Sequence, residues 1–108
     1  DEAFQKSIEL ESFFAPAWVK WAQLHYDLED FEKSADIMLS AIDELPEEAD
    51  FYYRSAIFLI KAGQFKEAFH FLESGLILDY DQHVIMFEYF PNLETQKAIF
   101  KLIQQYKK

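Results

Sequence analysis

The chain has 108 residues, of which 51% are hydrophobic and 19% aromatic, and it contains no cysteine. This composition predicts one globular domain with its own apolar core and excludes a disordered chain, a disulfide framework and any site built on thiolates. Twenty acidic residues against ten basic ones give a formal charge of -10, which argues against nucleic acid as a partner because its phosphates are also negative.

The apolar residues recur with helical spacing along most of the chain. In chain order they predict helices over about 16–28, 31–45, 50–62 and 65–76. Gly63 follows the third of these and suits a left-handed turn at a helix end. No turn signal of the β-hairpin type separates alternating segments. The chain is therefore predicted to be all-α, with short helices joined by tight turns.

The sequence has an internal repeat: residues of similar type recur at a fixed separation, which is the separation of Ala22 from Ala56. Small side chains recur at matched positions and allow neighbouring helices to pack closely, and bulky side chains beside them are expected to fill the remaining space. The small residues are Ala22 and Ala56, Ser34 and Ala68, and Ala41 and Gly75; the bulky ones are Trp18, Trp21, Tyr52, Phe31 and Phe65. This fixed period predicts a stack of similar helix pairs.

These repeated elements resemble the tetratricopeptide repeat family, whose unit is a 34-residue pair of antiparallel helices. The family's Trp-x2-Leu-Gly-x2-Tyr element corresponds to Trp18-x2-Trp21-Ala22-x2-His25 and to Tyr52-x2-Ser55-Ala56-x2-Leu59. Its Ala-x3-Phe element corresponds to Ser34-x3-Met38 and to Ala68-x3-Leu72. The resemblance implies a right-handed α-solenoid of antiparallel helix pairs.

The repeat register divides the chain into five segments within one domain. They are 1–12, the second helix of a truncated repeat; 15–48 and 49–82, two full repeats; 83–90, a short third-repeat helix; and 91–108, a capping helix. The last twelve residues contain four lysines and no acid, so this helix is expected to dock on the acidic body. Because the chain opens with Asp1 and shows no signal peptide, we read it as a piece of a longer protein in the cytoplasm.

Candidate catalytic and metal-binding residues are few. Glu67 and His70 have the spacing of half a di-iron site, but neither His25 nor His83 has a glutamate three residues before it. His25 occupies the motif's tyrosine position and is expected to be a hydrogen-bonded core histidine. The chain has only two glycines, twelve positions apart, which excludes a phosphate-binding loop. We therefore predict no enzyme activity, no metal and no cofactor.

The family resemblance implies that the first helix of each repeat lines a concave binding face. The matching positions are Val19, Gln23, Tyr26, Asp27, Tyr53, Arg54, Ile57, Ile60, Lys61, Val84 and Phe87. Many are apolar, which predicts a groove for an extended or helical peptide, with Arg54 and Lys61 as charged contacts. The alternative is that neighbouring helices, including the last, cover these residues. A clamp for a terminal carboxylate is not expected, because Val19 and Gln23 stand where that clamp has Lys and Asn.

The sequence thus predicts a protein–protein interaction scaffold without catalysis and without membrane insertion. Its partner would be a protein or peptide. A second possibility is a structural role in which an apolar surface at residues 1–14 pairs two copies as a homodimer. A third is a small-molecule pocket or active site in the concave face.

Overall fold

The structure is a computed structural model that describes residues 15–92 and 96–107. Over these residues the chain forms α-helices and one 3-10 helix, with no strand. They are α1 (Ala15–Asp27), α2 (Phe31–Glu44), α3 (Ala49–Lys61), α4 (Phe65–Leu78), the 3-10 helix (Tyr80–Val84), α5 (Ile85–Tyr89) and α6 (Lys97–Gln105). The helix predicted over 1–12 and the proposed dimer surface at 1–14 lie outside the described residues. The predicted all-α class is confirmed.

The helices recur at a regular spacing. α1 and α3 both have 13 residues, and α2 and α4 both have 14 residues. The start of α3 follows that of α1 by the same interval that separates the starts of α4 and α2. Each of these four helices packs against the next one in the chain. None of the described helices has the length and apolar character needed to cross a membrane.

The small residues of the repeat lie where helices meet, as predicted. Ala22, Ala56 and Ala68 are completely buried. Ser34 is also buried, and its hydroxyl donates a hydrogen bond of 2.9 Å to the backbone oxygen of Ala22. This bond joins α2 directly to the backbone of α1, which is possible only because neither helix has a large side chain at this point.

The bulky residues do not all fill the core. Trp18 is buried, and the Phe31 ring lies 5.3 Å from that of Tyr26. Phe65, which occupies the position of Phe31 in the next repeat, is instead 55% exposed, so its predicted core position was wrong. The residue that matches Tyr26 in the second repeat is Ile60, whose side chain is smaller and offers no ring for Phe65 to pack on.

The two helix pairs turn at equivalent positions. Gly63 has a φ of 82° after α3, as predicted for a left-handed turn. Glu29, at the same position of the preceding repeat, has a φ of 61° in the matching turn after α1. Any residue with a Cβ atom has a higher energy in this backbone conformation than glycine has. The turn at Glu29 is therefore strained, whereas the turn at Gly63 is not.

Replacing Glu29 with glycine is therefore expected to stabilise the protein by about 0.5 to 1 kcal/mol. Urea unfolding followed by circular dichroism measures this change. The matched control is Gly63→Ala, which should destabilise the protein by about 1 kcal/mol because it introduces the same strain. A loss of stability on Glu29→Gly would contradict the left-handed turn.

The last helix, α6, docks on α4. It spans Lys97–Gln105, which is shorter than the predicted segment 91–108. Ile99 and Ile103 are buried in this contact. Docking of the basic last helix on the body of the protein is therefore confirmed.

Candidate protein-interaction site

The residues predicted to contact a partner differ in how far their side chains are exposed. Val19, Gln23, Tyr26, Arg54 and Ile60 are half-buried. Asp27, Lys61, Val84 and Phe87 are exposed, whereas Tyr53 and Ile57 are fully buried. The predicted surface is thus partly core and partly open.

Tyr53 is a core residue rather than a contact for a partner. Its hydroxyl donates a hydrogen bond of 2.8 Å to the backbone oxygen of Asp79, and its ring lies against Gly75, where a Cβ atom would be only 3.2 Å from the ring carbons. Ile57 on the same helix is also 0% exposed. Both predictions were wrong because α3 is packed by α2, α4, α5 and the 3-10 helix. Neighbouring helices therefore cover these two residues, and the two short helices, α5 and the 3-10 helix, contribute to that cover.

Tyr89 of α5 contacts both α1 and α3. Its hydroxyl donates to Oε1 of Gln23 on α1 at 2.6 Å and accepts from Nη1 of Arg54 on α3 at 2.8 Å. Its ring meets those of Tyr26 and Phe58 edge-on, with centroids 5.1 and 5.9 Å away. α5 therefore fills part of the space between α1 and α3.

Arg54 is already held by two partners within the protein. Besides Tyr89, its Nε donates to Oδ1 of Asp50 at 2.5 Å. Burial lowers the pKa of Arg54, but Asp50, Tyr89 and Glu88 together outweigh that effect, so the pKa is raised and the guanidinium stays charged. Arg54 thus organises the site, and among the residues of this site the exposed cations are Lys20 and Lys61. The Lys61 ammonium lies 5.0 Å from the centre of the Phe90 ring.

The open part of the site is a cavity of about 290 Å³ between the N-terminal halves of α1 and α3. It is lined by Ala15, Pro16, Val19, Lys20, Asp50, Phe51 and Arg54. Of these, only Val19 and Arg54 were predicted from the sequence. The others lie within one helical turn of Val19 or Arg54, and that spacing could have identified them. They include Pro16 and Lys20 on α1, and Asp50 and Phe51 on α3.

The histidines form no metal-binding group within the described residues. His25 is half-buried, and its Nδ1 lies 3.9 Å from Oδ2 of Asp30. His70 is exposed on α4, with its ring 5.5 Å from that of Phe71. Within residues 15–92 and 96–107, no three histidine, aspartate or glutamate side chains are grouped closely enough to hold a metal ion.

Stability is expected to fall above about pH 10. Burial raises the pKa of Tyr53 well above its ordinary value of 10.0, and burial raises that of Tyr89 despite the opposing charge of Arg54. The folded state thus favours the neutral phenols. Their contribution is complete below the unfolded pKa of about 10 and is lost as the pH rises through the folded values. Thermal unfolding between pH 8 and 11 tests this, and a midpoint that stays constant above pH 10 would contradict it.

Comparisons with known proteins bear on the fold. No protein-family model matches the chain, and neither does any curated protein. The chain is similar to a solved structure described as MamA MSR-1 C2, with a TM-score of 0.61 and 14% sequence identity over 97% of this chain. The chain spans 64% of the length of that structure, which is of a protein containing tetratricopeptide repeats.

At this level of identity the similarity describes the fold alone. This fold similarity agrees with the regular spacing of the two helix pairs. It also agrees with the last helix, α6, which follows the pairs and packs on α4. The chain has an all-α, tetratricopeptide-repeat-like fold of stacked antiparallel helix pairs with a C-terminal capping helix.

Proposed function

We propose that the chain is a protein–protein interaction module, without catalysis, that binds a segment of a partner protein in the cavity between α1 and α3. The observation that carries this proposal is the open cavity on the first helices of two successive repeats in a scaffold-type fold. Its volume of about 290 Å³ is at the lower limit for small-molecule sites. It suits one or two side chains of a polypeptide better than a whole cofactor.

The lining residues indicate what kind of segment would bind. Val19 and Ala15, both half-buried, provide an aliphatic surface for an apolar side chain, and Phe51 is buried beside them. Lys20 is exposed and makes no ion pair among the described residues, so it is available to a carboxylate of the partner. The favoured ligand has an apolar anchor beside an acidic residue.

The position of α5 limits the length of the bound segment. Because Tyr89 occupies the space between Gln23 and Arg54, a partner cannot run along the whole inner surface without displacing it. The proposed segment is therefore short and seated at the N-terminal ends of α1 and α3.

Affinity capture from the native cell tests the proposal, with the intact parent protein as bait and mass spectrometry to identify the retained proteins. The variant combines Val19→Ser with Lys20→Glu, and it should lose partners that the unmodified protein retains. Lys33→Glu on α2 is the matched control, because it makes the same charge change away from the cavity. Equal capture by all three baits would refute the α1/α3 cavity as the site.

The two remaining candidate roles have separate tests. Self-assembly through residues 1–14 predicts a sedimentation coefficient that rises with concentration, whereas the interaction module predicts a constant one. Catalysis by the histidines predicts loss of cellular function on His25→Gln with His70→Gln. We expect that function to be retained.

A further inference from the structure

A second groove lies on different helices, between α4 and α6. Ile99 and Ile103 fix α6 on α4, and beside this contact the two helices leave a cavity of about 490 Å³. It is lined by Lys66, Phe69, His70, Glu73, Ala98, Lys101, Leu102 and Gln105. None of these residues lines the cavity between α1 and α3.

The shape of the groove follows from helical spacing. On α4 the lining residues extend from Lys66 to Glu73, and on α6 they extend from Ala98 to Gln105. Each stripe covers two helical turns, or about 10 Å between its end residues at the rise of an α-helix. Two helical stripes of this length form a seat for about two turns of a third helix.

The floor of the groove is apolar. Phe69 and Leu102 are half-buried, so each packs against the core and still presents part of its side chain to the groove. The short side chain of Ala98 leaves room beside them. An apolar side chain placed here would lose water contact on both sides, which favours binding.

The two sides of the groove carry cations in an acidic protein. Lys66 on α4 and Lys101 on α6 are exposed, and among the described residues neither lies within ion-pair distance of a carboxylate. Glu73 is the acidic residue among those that line the groove. The chain as a whole has a charge of -10, so these lysines form a local exception.

We propose that the α4/α6 groove binds an amphipathic acidic helix of a partner protein. Its apolar face would pack on Phe69 and Leu102, and its carboxylates would pair with Lys66 and Lys101. Charge complementarity selects this occupant, because a basic helix would meet two unpaired lysines. The groove is a binding surface separate from the one proposed between α1 and α3.

Selection from a displayed library of amphipathic helices tests this proposal. The library keeps leucine at positions i, i+3, i+4 and i+7, and it randomises the polar positions among Glu, Lys and Gln. The targets are the unmodified chain, the double variant Lys66→Glu with Lys101→Glu, and the control Lys33→Glu with Lys107→Glu, which lie outside both proposed sites. The four substituted lysines are exposed, and thermal unfolding confirms that each target is folded.

We expect the unmodified chain and the control to enrich glutamate-rich helices. The Lys66/Lys101 variant should bind these peptides at least about tenfold more weakly and should enrich lysine-rich ones instead. When an enriched peptide binds, the chemical shifts of Phe69 and Leu102 should change relative to those of the free protein. The proposal is overturned if no helix is enriched, if enrichment is indifferent to charge, or if the Lys33/Lys107 control loses binding as much as the Lys66/Lys101 variant does.

Discussion

Replacing Tyr53 with alanine is expected to lower the free energy of unfolding by about 4 kcal/mol. The ring is completely buried against Gly75, and its hydroxyl holds the backbone oxygen of Asp79 just before the 3-10 helix. Truncation removes the ring from the core and leaves a cavity that the surrounding helices cannot close without moving. A loss of this size is a large share of the stability of an ordinary domain.

Two further substitutions separate the contributions to this loss. Tyr53→Phe keeps the ring and removes only the hydrogen bond, so it should cost about 1 kcal/mol. Tyr52→Ala changes the adjacent, half-exposed tyrosine and should cost clearly less than Tyr53→Ala. Urea unfolding followed by circular dichroism measures all three. The Tyr53→Ala variant could be destabilised by less than about 1 kcal/mol and yet no longer capture partner proteins. In that case the side chain faces a partner, and the assignment of Tyr53 to the core is wrong.

Replacing Ala56 with leucine is expected to cost about 3 kcal/mol. Ala56 has no exposed surface and lies on α3, which α2, α4 and α5 all contact. Three added carbon atoms have no space at such a site, so they force the helices apart or the side chain out of its preferred rotamer.

Ala98→Leu is the matched control for this overpacking. Ala98 is exposed on α6, so the same added volume should change the unfolding free energy by no more than about 0.5 kcal/mol. Thermal and urea unfolding of both variants give the comparison. Equal stability of Ala56→Leu and the unmodified chain would contradict the close packing of α3.

The helices and their repeat could be predicted from the sequence because both depend on local or periodic features. The matched small residues Ala22 and Ala56, and Ser34 with Ala68, fixed the register and all four are buried. The turn at Gly63 could also be predicted, because the backbone conformation of a glycine at a helix end is a local property.

The composition of the site could not be predicted in the same way. Periodicity shows that α3 is apolar on more than one side, but it does not show which neighbour covers each side. Tyr53 and Ile57 were therefore assigned to an open groove, although α4, α5 and the 3-10 helix bury that face. The bond from Tyr89 to Gln23 joins residues 66 positions apart in a segment that departs from the repeat. No local pattern records such a contact.

Photo-cross-linking in the native cell tests the proposed partner site most directly. A benzophenone amino acid is placed at Lys20, which lines the α1/α3 cavity, and in a second protein at Lys33, which is exposed on α2. Irradiation should produce a covalent adduct with a partner protein from position 20 and none from position 33. Adducts from position 33 alone would show that partners bind elsewhere on the solenoid.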